Sequence, residues 1–252
     1  MRLTGNTILI TGGGSGIGRG LAVALHRAGN RVVIAGRRVE PLQAVVAEHP
    51  GITYLQLDQS DRQSTQRFVE EIRRQYADLN VVVNNAGMMA LEDLAAPDPD
   101  IASVVISTNL LGPITLTSLL MPTLRAHRHA AIINITSALA FVPMALAPTY
   151  SATKAGLHAY TESLRFQLQD SGIQVIEIAP PRVETEMDGS ADGYTMTVDD
   201  FISETLSLMV AQPEAGEVIV DASRGLRDAE RNGVYAEQFA FVNPDPTFNP
   251  WV

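Results

Sequence analysis

Short apolar runs alternate with segments of helical periodicity along most of the chain. Seven runs rich in Val and Ile read as strands: Thr7–Thr11, Arg31–Gly36, Ile52–Asp58, Leu79–Asn84, Ala131–Ser137, Ile173–Ala179 and Glu217–Asp221. They are mostly apolar on both faces, the pattern of parallel central strands. Six segments between them read as helices: Gly16–Ala28, Val39–Glu48, Asp61–Tyr76, Asp98–Arg125, Thr149–Asp170 and Asp199–Ala211. Strand–helix alternation at this spacing predicts an α/β fold. It is a doubly wound parallel sheet with helices on both faces and right-handed crossovers. The stretch Asp221–Gly233 is charged and predicted helical. Residues 241–252 carry three prolines and two asparagines and read as an irregular tail.

The 252 residues suit one domain with a large core, being 46% hydrophobic and 18% charged. A formal net charge of −10 argues against nucleic acid or an anionic membrane surface as partner. It leaves room for an anionic cofactor, which is held by local groups. With no cysteine in the chain, disulfides, thiolate nucleophiles and cysteine metal sites drop out. A cytoplasmic location is the expectation. Ile101–Leu124 and Ala130–Thr153 are uncharged and long enough to span a bilayer. Their interior Asn, Gly and Pro residues fit a buried helix, and a buried strand with its loop, better than a membrane span.

Thr7–Thr11 runs into Gly12-Gly13-Gly14-Ser15-Gly16-Ile17-Gly18, and a helix follows at once. Glycines let backbone approach a pyrophosphate, and the helix N-terminus offers free N–H groups with a partial positive charge. The lysine-plus-hydroxyl ending of an ATP-binding loop is missing. In an NAD site an acidic residue ends the second strand and binds the ribose hydroxyls. Here that strand ends Ala35-Gly36-Arg37-Arg38. Two guanidinium groups favour a 2′-phosphate, hence NADP over NAD; the alternative is a pair of solvated arginines at a helix start.

Tyr150 and Lys154 lie four residues apart in a helical segment, about 6 Å apart along its axis on one face. An ammonium beside a phenol is expected to lower its pKa from near 10 and make it a usable acid–base group. The pair follows the strand end Asn134-Ile135-Thr136-Ser137, at the sheet edge where ligands bind in open α/β folds.

These motifs together resemble the single-domain short-chain dehydrogenase/reductase family. The motifs are Thr11-Gly12-x-x-x-Gly16-Ile17-Gly18, Asp58, Asn84-Asn85-Ala86-Gly87, Asn109, Ser137 and Tyr150-x-x-x-Lys154, and the likeness runs from Thr7 to about Thr185. Pro180-Pro181 and the Phe-Asn-Pro-Trp tail are similar to the DltE-like branch. The resemblance implies a Rossmann fold with strand order 3-2-1-4-5-6-7. It implies hydride transfer between NADP(H) and a carbonyl or alcohol. Tyr150 would move the proton, Ser137 orient the oxygen, and Lys154 tune Tyr150 and hold the nicotinamide ribose. Asn109 would hold a water through a local opening of its helix. Gly12, Gly14, Ser15, Gly16, Ile17 and Gly18 would cradle phosphate. Asp58 and Gln59, with Asn85, Ala86 and Gly87, would line the adenosine side; Pro180, Val183 and Thr185 would contact the nicotinamide end. No metal is implied, and the partners are a small-molecule substrate and a second copy, as homodimer or homotetramer.

The chain departs from the family at Pro181, where glycine is usual, and in lacking an Asp-Gly-Gly ending to its last strand. Two rivals stay open: a regulatory or scaffold protein that keeps the cofactor fold, and a non-redox enzyme on that fold. The first would show a broken tetrad, and the second a lost loop or a replaced lysine. His127-x-His129 has no third ligand in sequence and reads as an ordinary helix end. Met88, Met89, Leu139, Phe141, Val142, Pro143 and Met144 read either as core or as a flexible apolar substrate wall. Glu184 and Glu186 read as solvated.

Overall fold

A computed structural model describes residues 1–93, 98–186 and 195–244 of the chain. Seven strands form one parallel sheet: β1 (Thr7–Thr11), β2 (Arg31–Gly36), β3 (Thr53–Gln56), β4 (Val81–Asn84), β5 (Ala130–Ile135), β6 (Ile173–Ile178) and β7 (Glu217–Val218). Their order is β3-β2-β1-β4-β5-β6-β7, the order the family likeness implies. Successive residues of a central strand enter opposite cores. Ile8 and Ile10 pack with Leu21 and Leu25 of α1 (Gly16–Arg27), Leu42 and Val45 of α2 (Val39–Glu48), and later Phe201 of the chain. Leu9 faces the other way, with Phe68 and Ile72 of α3 (Arg62–Gln75). This is why the centre of β1, Ile8-Leu9-Ile10, is apolar on both faces and the whole strand is buried.

The predicted helix over 98–125 is α4 (Pro99–Ile106) and α5 (Gly112–Arg125), joined without a break by a wide turn at Ser107–Leu111. The cause is in the sequence. Pro113 has no N–H to donate to the Asn109 carbonyl, as an unbroken α-helix would require. Instead the Gly112 N–H reaches back five residues to the Ser107 carbonyl. Pro99–Arg125 is long and apolar enough to cross a bilayer by length and composition. Its inward Leu116, Leu120 and Leu124 are wholly buried against the sheet and α3, while Val104 and Leu111 stay exposed. That leftover apolar surface is of the kind the expected dimer would cover.

α6 (Pro148–Leu168) follows β5 and runs across the same face; α7 (Val198–Ala211) brings Phe201 to the other. Two strands fall furthest short of prediction, by three residues each. β3 and β7 are the sheet edges, paired on one side only, and they stop at Gln56 and Val218. Asp221 starts α8 (Asp221–Arg227) rather than ending a strand. Beyond it α9 (Tyr235–Val242) takes Phe241 and Val242 from the predicted irregular tail; the Phe-Asn-Pro-Trp segment lies outside the described residues.

A chain of buried amides joins the sheet to its helices just below the strand ends. Asn84 of β4 donates to Asn134 of β5 at 2.8 Å and to Thr117 of α5 at 3.0 Å. Asn134 in turn donates to Thr161 of α6 at 2.8 Å. Both N–H groups of Asn84 are thus satisfied, while its Oδ1 has no partner among the described residues. This chain fixes α5 and α6 in register with β4 and β5, and so fixes where Tyr150 and Lys154 emerge.

Candidate active site

Every strand end except that of β7 contributes to one cavity of about 1470 Å³ along the C-terminal edge of the sheet. It is larger than a single drug-sized ligand needs. After β1 the glycine loop forms its floor. Gly12 has φ +68°, and a Cβ there would lie 2.8 Å from the Asn85 amide. Gly18 does not reach the cavity. A Cβ on it would sit 2.2 Å from the Gly12 carbonyl, so this glycine lets α1 close against the loop. Gly12, Gly14, Ser15, Gly16 and Ile17 all face the cavity. Ser15 makes no side-chain cap to α1, and no acidic residue lies in the helix's first turn. The free N–H groups and positive end of α1 therefore open on the cavity, ready for an anion.

The loop is held by side chains the sequence reading did not single out for this task. The Thr11 hydroxyl accepts from the N–H groups of Asn85 (3.1 Å) and Ala86 (3.0 Å). The Asn85 side chain donates to the carbonyls of Thr11 (2.9 Å) and Gly12 (3.3 Å). Gln59 donates to the carbonyls of Ala86 (3.1 Å) and Thr108 (2.6 Å). Asn85 and Gln59 line the cavity, but their amides are spent on backbone. Asp58 keeps one carboxylate oxygen on Ser60, at 3.0 Å from its N–H and 2.6 Å from its hydroxyl. Arg37 and Arg38 are exposed at this end. Arg38 pairs with Glu186 at 3.1 Å, while Arg37 has no side-chain partner among the described residues.

At the opposite end Ser137, Tyr150 and Lys154 face the cavity together, with Pro180, Val183 and Thr185 of the loop after β6. α6 is aimed by its own start. Glu92, in the loop after β4, accepts from the Thr149 N–H (2.9 Å) and hydroxyl (2.8 Å), capping the helix one residue before Tyr150. A carboxylate at a helix N-terminus is the stabilising sign. The Tyr150 hydroxyl hydrogen-bonds Ser137. The Lys154 ammonium donates to the Ile135 carbonyl at 2.9 Å and lies 5.6 Å from the Tyr150 ring centre. Asn109 is buried behind this group and does not line the cavity. It accepts from the Met88 N–H (2.8 Å) and donates to the Met88 carbonyl (2.8 Å) and the Thr153 hydroxyl (3.2 Å).

One expectation is not met in the protein alone. The ammonium was to lower the tyrosine pKa; instead burial pushes Tyr150 up, the Ser137 hydrogen bond offsetting part of that rise. Burial also pushes Lys154 down to about 8. Neither group has a buried counter-charge among the described residues, and desolvation penalises whichever form is ionised.

Behind Ser137 lies a cluster absent from the sequence reading. Glu177 of β6 is fully buried, accepts from the Thr136 hydroxyl at 2.6 Å and meets His158 Nδ1 at 2.8 Å. His158 stands one turn after Lys154 on α6, and its ring meets Phe141 edge-on at 4.9 Å. Glu217 completes a triad whose ligand-type atoms lie within 4.8 Å of one another. Its oxygens are already taken by Arg227 at 3.1 and 2.8 Å, so the group reads as a satisfied ion-pair network. The signal for it was a lone acid inside an apolar strand, Ile173–Ile178.

Residues 6–193 match the family described as short chain dehydrogenase. The chain is 38% identical over 237 residues to the uncharacterized oxidoreductase DltE of Bacillus subtilis strain 168, covering 92% of this chain and 94% of that one. An uncharacterized oxidoreductase of Staphylococcus aureus USA300 is 29% identical over 217 residues, covering 84% and 94%. Among solved structures, a short chain dehydrogenase of Burkholderia cenocepacia J2315 in complex with NADP superposes with a TM-score of 0.81 at 26% identity, covering 94% and 98%. A 3-ketoacyl-(acyl-carrier-protein) reductase of Brucella melitensis complexed with NADH shares the fold, with a TM-score of 0.78 at 23% identity, covering 88% and 100%.

The hydrogen bond that His158 makes to the Glu177 carboxylate raises the His158 pKa above its ordinary value. Stability from such a group is fully present below about pH 6.5 and is lost as pH rises through the raised pKa. The urea midpoint is therefore expected to fall between pH 6 and pH 8.5 by more in the wild type than in His158→Asn. Equal falls in the two proteins would contradict this.

Proposed function

Given that this chain belongs to the short-chain dehydrogenase/reductase family, in its DltE-like branch, we propose that it transfers a hydride between NADP(H) and a ketone/secondary alcohol pair, with Tyr150 as its acid–base group. The observation that carries this reading is the buried Ser137–Tyr150–Lys154 group at one end of a cavity whose other end is an uncapped helix N-terminus. The residues present suit a dinucleotide. Glycine backbone and the start of α1 suit a pyrophosphate, and Arg37 is available for a further phosphate.

When bound, the nicotinamide nucleotide supplies or accepts the hydride. In the reductive direction Tyr150 gives its hydroxyl proton to the carbonyl oxygen, and Ser137 holds that oxygen by a hydrogen bond. A phenol whose pKa burial has raised is protonated at neutral pH and so is loaded as a donor. Lys154, at about 8, is largely an ammonium at pH 7, and it compensates charge on the phenolate left behind. The Asn109 side chain is occupied by Met88 and Thr153. Any part Asn109 takes in returning a proton to Tyr150 falls to its backbone carbonyl, which Pro113 leaves without an α-helical donor.

The preference for the 2′-phosphorylated nucleotide rests on Arg37. The Glu186 carboxylate already engages Arg38, which weakens the second arginine's claim on a phosphate. Calorimetry on the wild type is expected to give NADPH at least about tenfold tighter binding than NADH, and Arg37→Ala to remove most of that difference. Equal affinities in the wild type would contradict the preference.

Tyr150→Phe is expected to keep NADPH binding and lose about 10²–10⁴ of turnover, the usual worth of a positioned proton donor. Lys154→Ala is expected to weaken both. The check is steady-state kinetics with cofactor affinity measured separately. More than about a tenth of wild-type turnover in Tyr150→Phe would remove Tyr150 from the acid–base role.

A further inference from the structure

The same cavity is lined, beside Ser137 and Tyr150, by residues of α8 and α9. α9 has no buried residue, yet four of its eight side chains are Tyr235, Phe239, Phe241 and Val242. Phe239 is 39% and Phe241 71% exposed. Phe239 stacks on Tyr235, ring centres 6.2 Å apart, yet both stay exposed, and apolar side chains this large left in the open mark a surface that something covers. Phe239, Phe241 and Val242 face the same cavity as the Tyr150 hydroxyl, and Leu226 of α8, Leu139 and Met144 form the facing walls.

This wall is fixed beside the reacting groups by a single side chain. Asn243, just after α9, accepts from the Ala145 N–H at 2.6 Å and donates to the Pro143 carbonyl at 3.1 Å. It thereby ties the end of α9 to the loop between Ser137 and Tyr150, about a hundred residues earlier in the chain.

Among the described residues of this end, Glu92 caps α6, Arg227 is paired with Glu217, and Arg182 is already engaged. Lys154 is held at the reacting groups, its ammonium on the Ile135 carbonyl at 2.9 Å. Arg37, which has no side-chain partner among the described residues, lines the far end after β2. A carboxylate or phosphate on an arm under α9 would be desolvated without compensation from any described side chain.

We propose that the second ligand of the cavity is an uncharged ketone or secondary alcohol with an apolar arm of several carbons, which lies under α9 against Phe239 and Phe241. This rests on the hydride-transfer reading. The arm would enter last, in a chamber that already holds the nucleotide, and its affinity would come from burial of each carbon it adds.

The probes are 2-butanone, 2-hexanone, 2-octanone and 2-decanone, with 7-oxooctanoate as the charged match for 2-octanone. With NADPH and wild-type protein, kcat/KM is expected to rise about fourfold per methylene, the equivalent of about 0.8 kcal/mol, until the arm fills the chamber. The oxo acid is expected at least about tenfold below 2-octanone, as for an uncompensated charge. Phe239→Ala with Phe241→Ala should flatten the slope, lowering kcat/KM most for 2-decanone and least for 2-butanone. A flat series, or preference for the oxo acid, overturns the proposal and leaves hydride transfer standing. The same ketones titrated into NADP-loaded Tyr150→Phe by calorimetry read the chamber without turnover. Affinity rising with chain length there, with no wild-type turnover, keeps the chamber and removes the redox reading. If the double variant keeps the slope but changes mass in light scattering, α9 is covered by a second copy of the chain and the proposal fails.

Discussion

Two titratable side chains, Tyr150 and Lys154, are buried at the sheet edge with no buried charge to pair with among the described residues, and the fold is arranged to keep them there. Taking an ammonium out of water is costly unless it is hydrogen-bonded or finds a counter-charge. Lys154 has only the Ile135 carbonyl, and the cost shows in its pKa of about 8. Tyr150 is strained in the opposite direction. A site in this condition is completed by what binds beside it. On the hydride-transfer reading, an anionic cofactor would bring negative charge to the Lys154 side of the cavity, and a substrate oxygen would accept from Tyr150.

Holding two such groups in place takes polar anchors on every side. Glu92 caps the helix that carries them, and the Asn84–Asn134–Thr161 chain fixes that helix to the strands below. Asn109 ties the wide turn at Ser107–Leu111 to Met88 and to Thr153, which donates to the Tyr150 carbonyl. Thr11 and Asn85 do the same for the glycine loop. Each anchor is a short polar side chain at or near the end of a buried strand or at the foot of a helix. Apolar packing sets the sheet; these bonds set the last ångström at its edge.

The strands and the nucleotide loop were legible because burial on both faces leaves a run of Val and Ile that no helix period explains. Strand order came from the family likeness and is what the structure has. Edge strands were read too long, since β3 and β7 lose a partner on one side and the apolar run outlasts the pairing. The wide turn at Asn109 came only from the likeness, although Pro113 four residues on is a local cause that sequence alone contains. α9 was missed because its apolar residues face a cavity rather than a core, so its pattern lacks the stripe of a packed helix. Glu177 and His158 were missed for another reason. They stand 19 residues apart and pair only through the crossover from α6 to β6, which no spacing rule reports.

The most direct test is titration of Tyr150 itself, by carbon NMR of protein labelled at the tyrosine ζ carbon and assigned with Tyr150→Phe. In the free protein its phenol is expected to titrate above the ordinary value near 10, because burial opposes the anion. With oxidised NADP bound, the same resonance is expected to titrate well below 10, since the bound nucleotide holds Lys154 as an ammonium and the phenolate gains a positive surrounding. A Tyr150 resonance that titrates at the same pH with and without the nucleotide would contradict the account, because the buried pair would then not be completed by the cofactor.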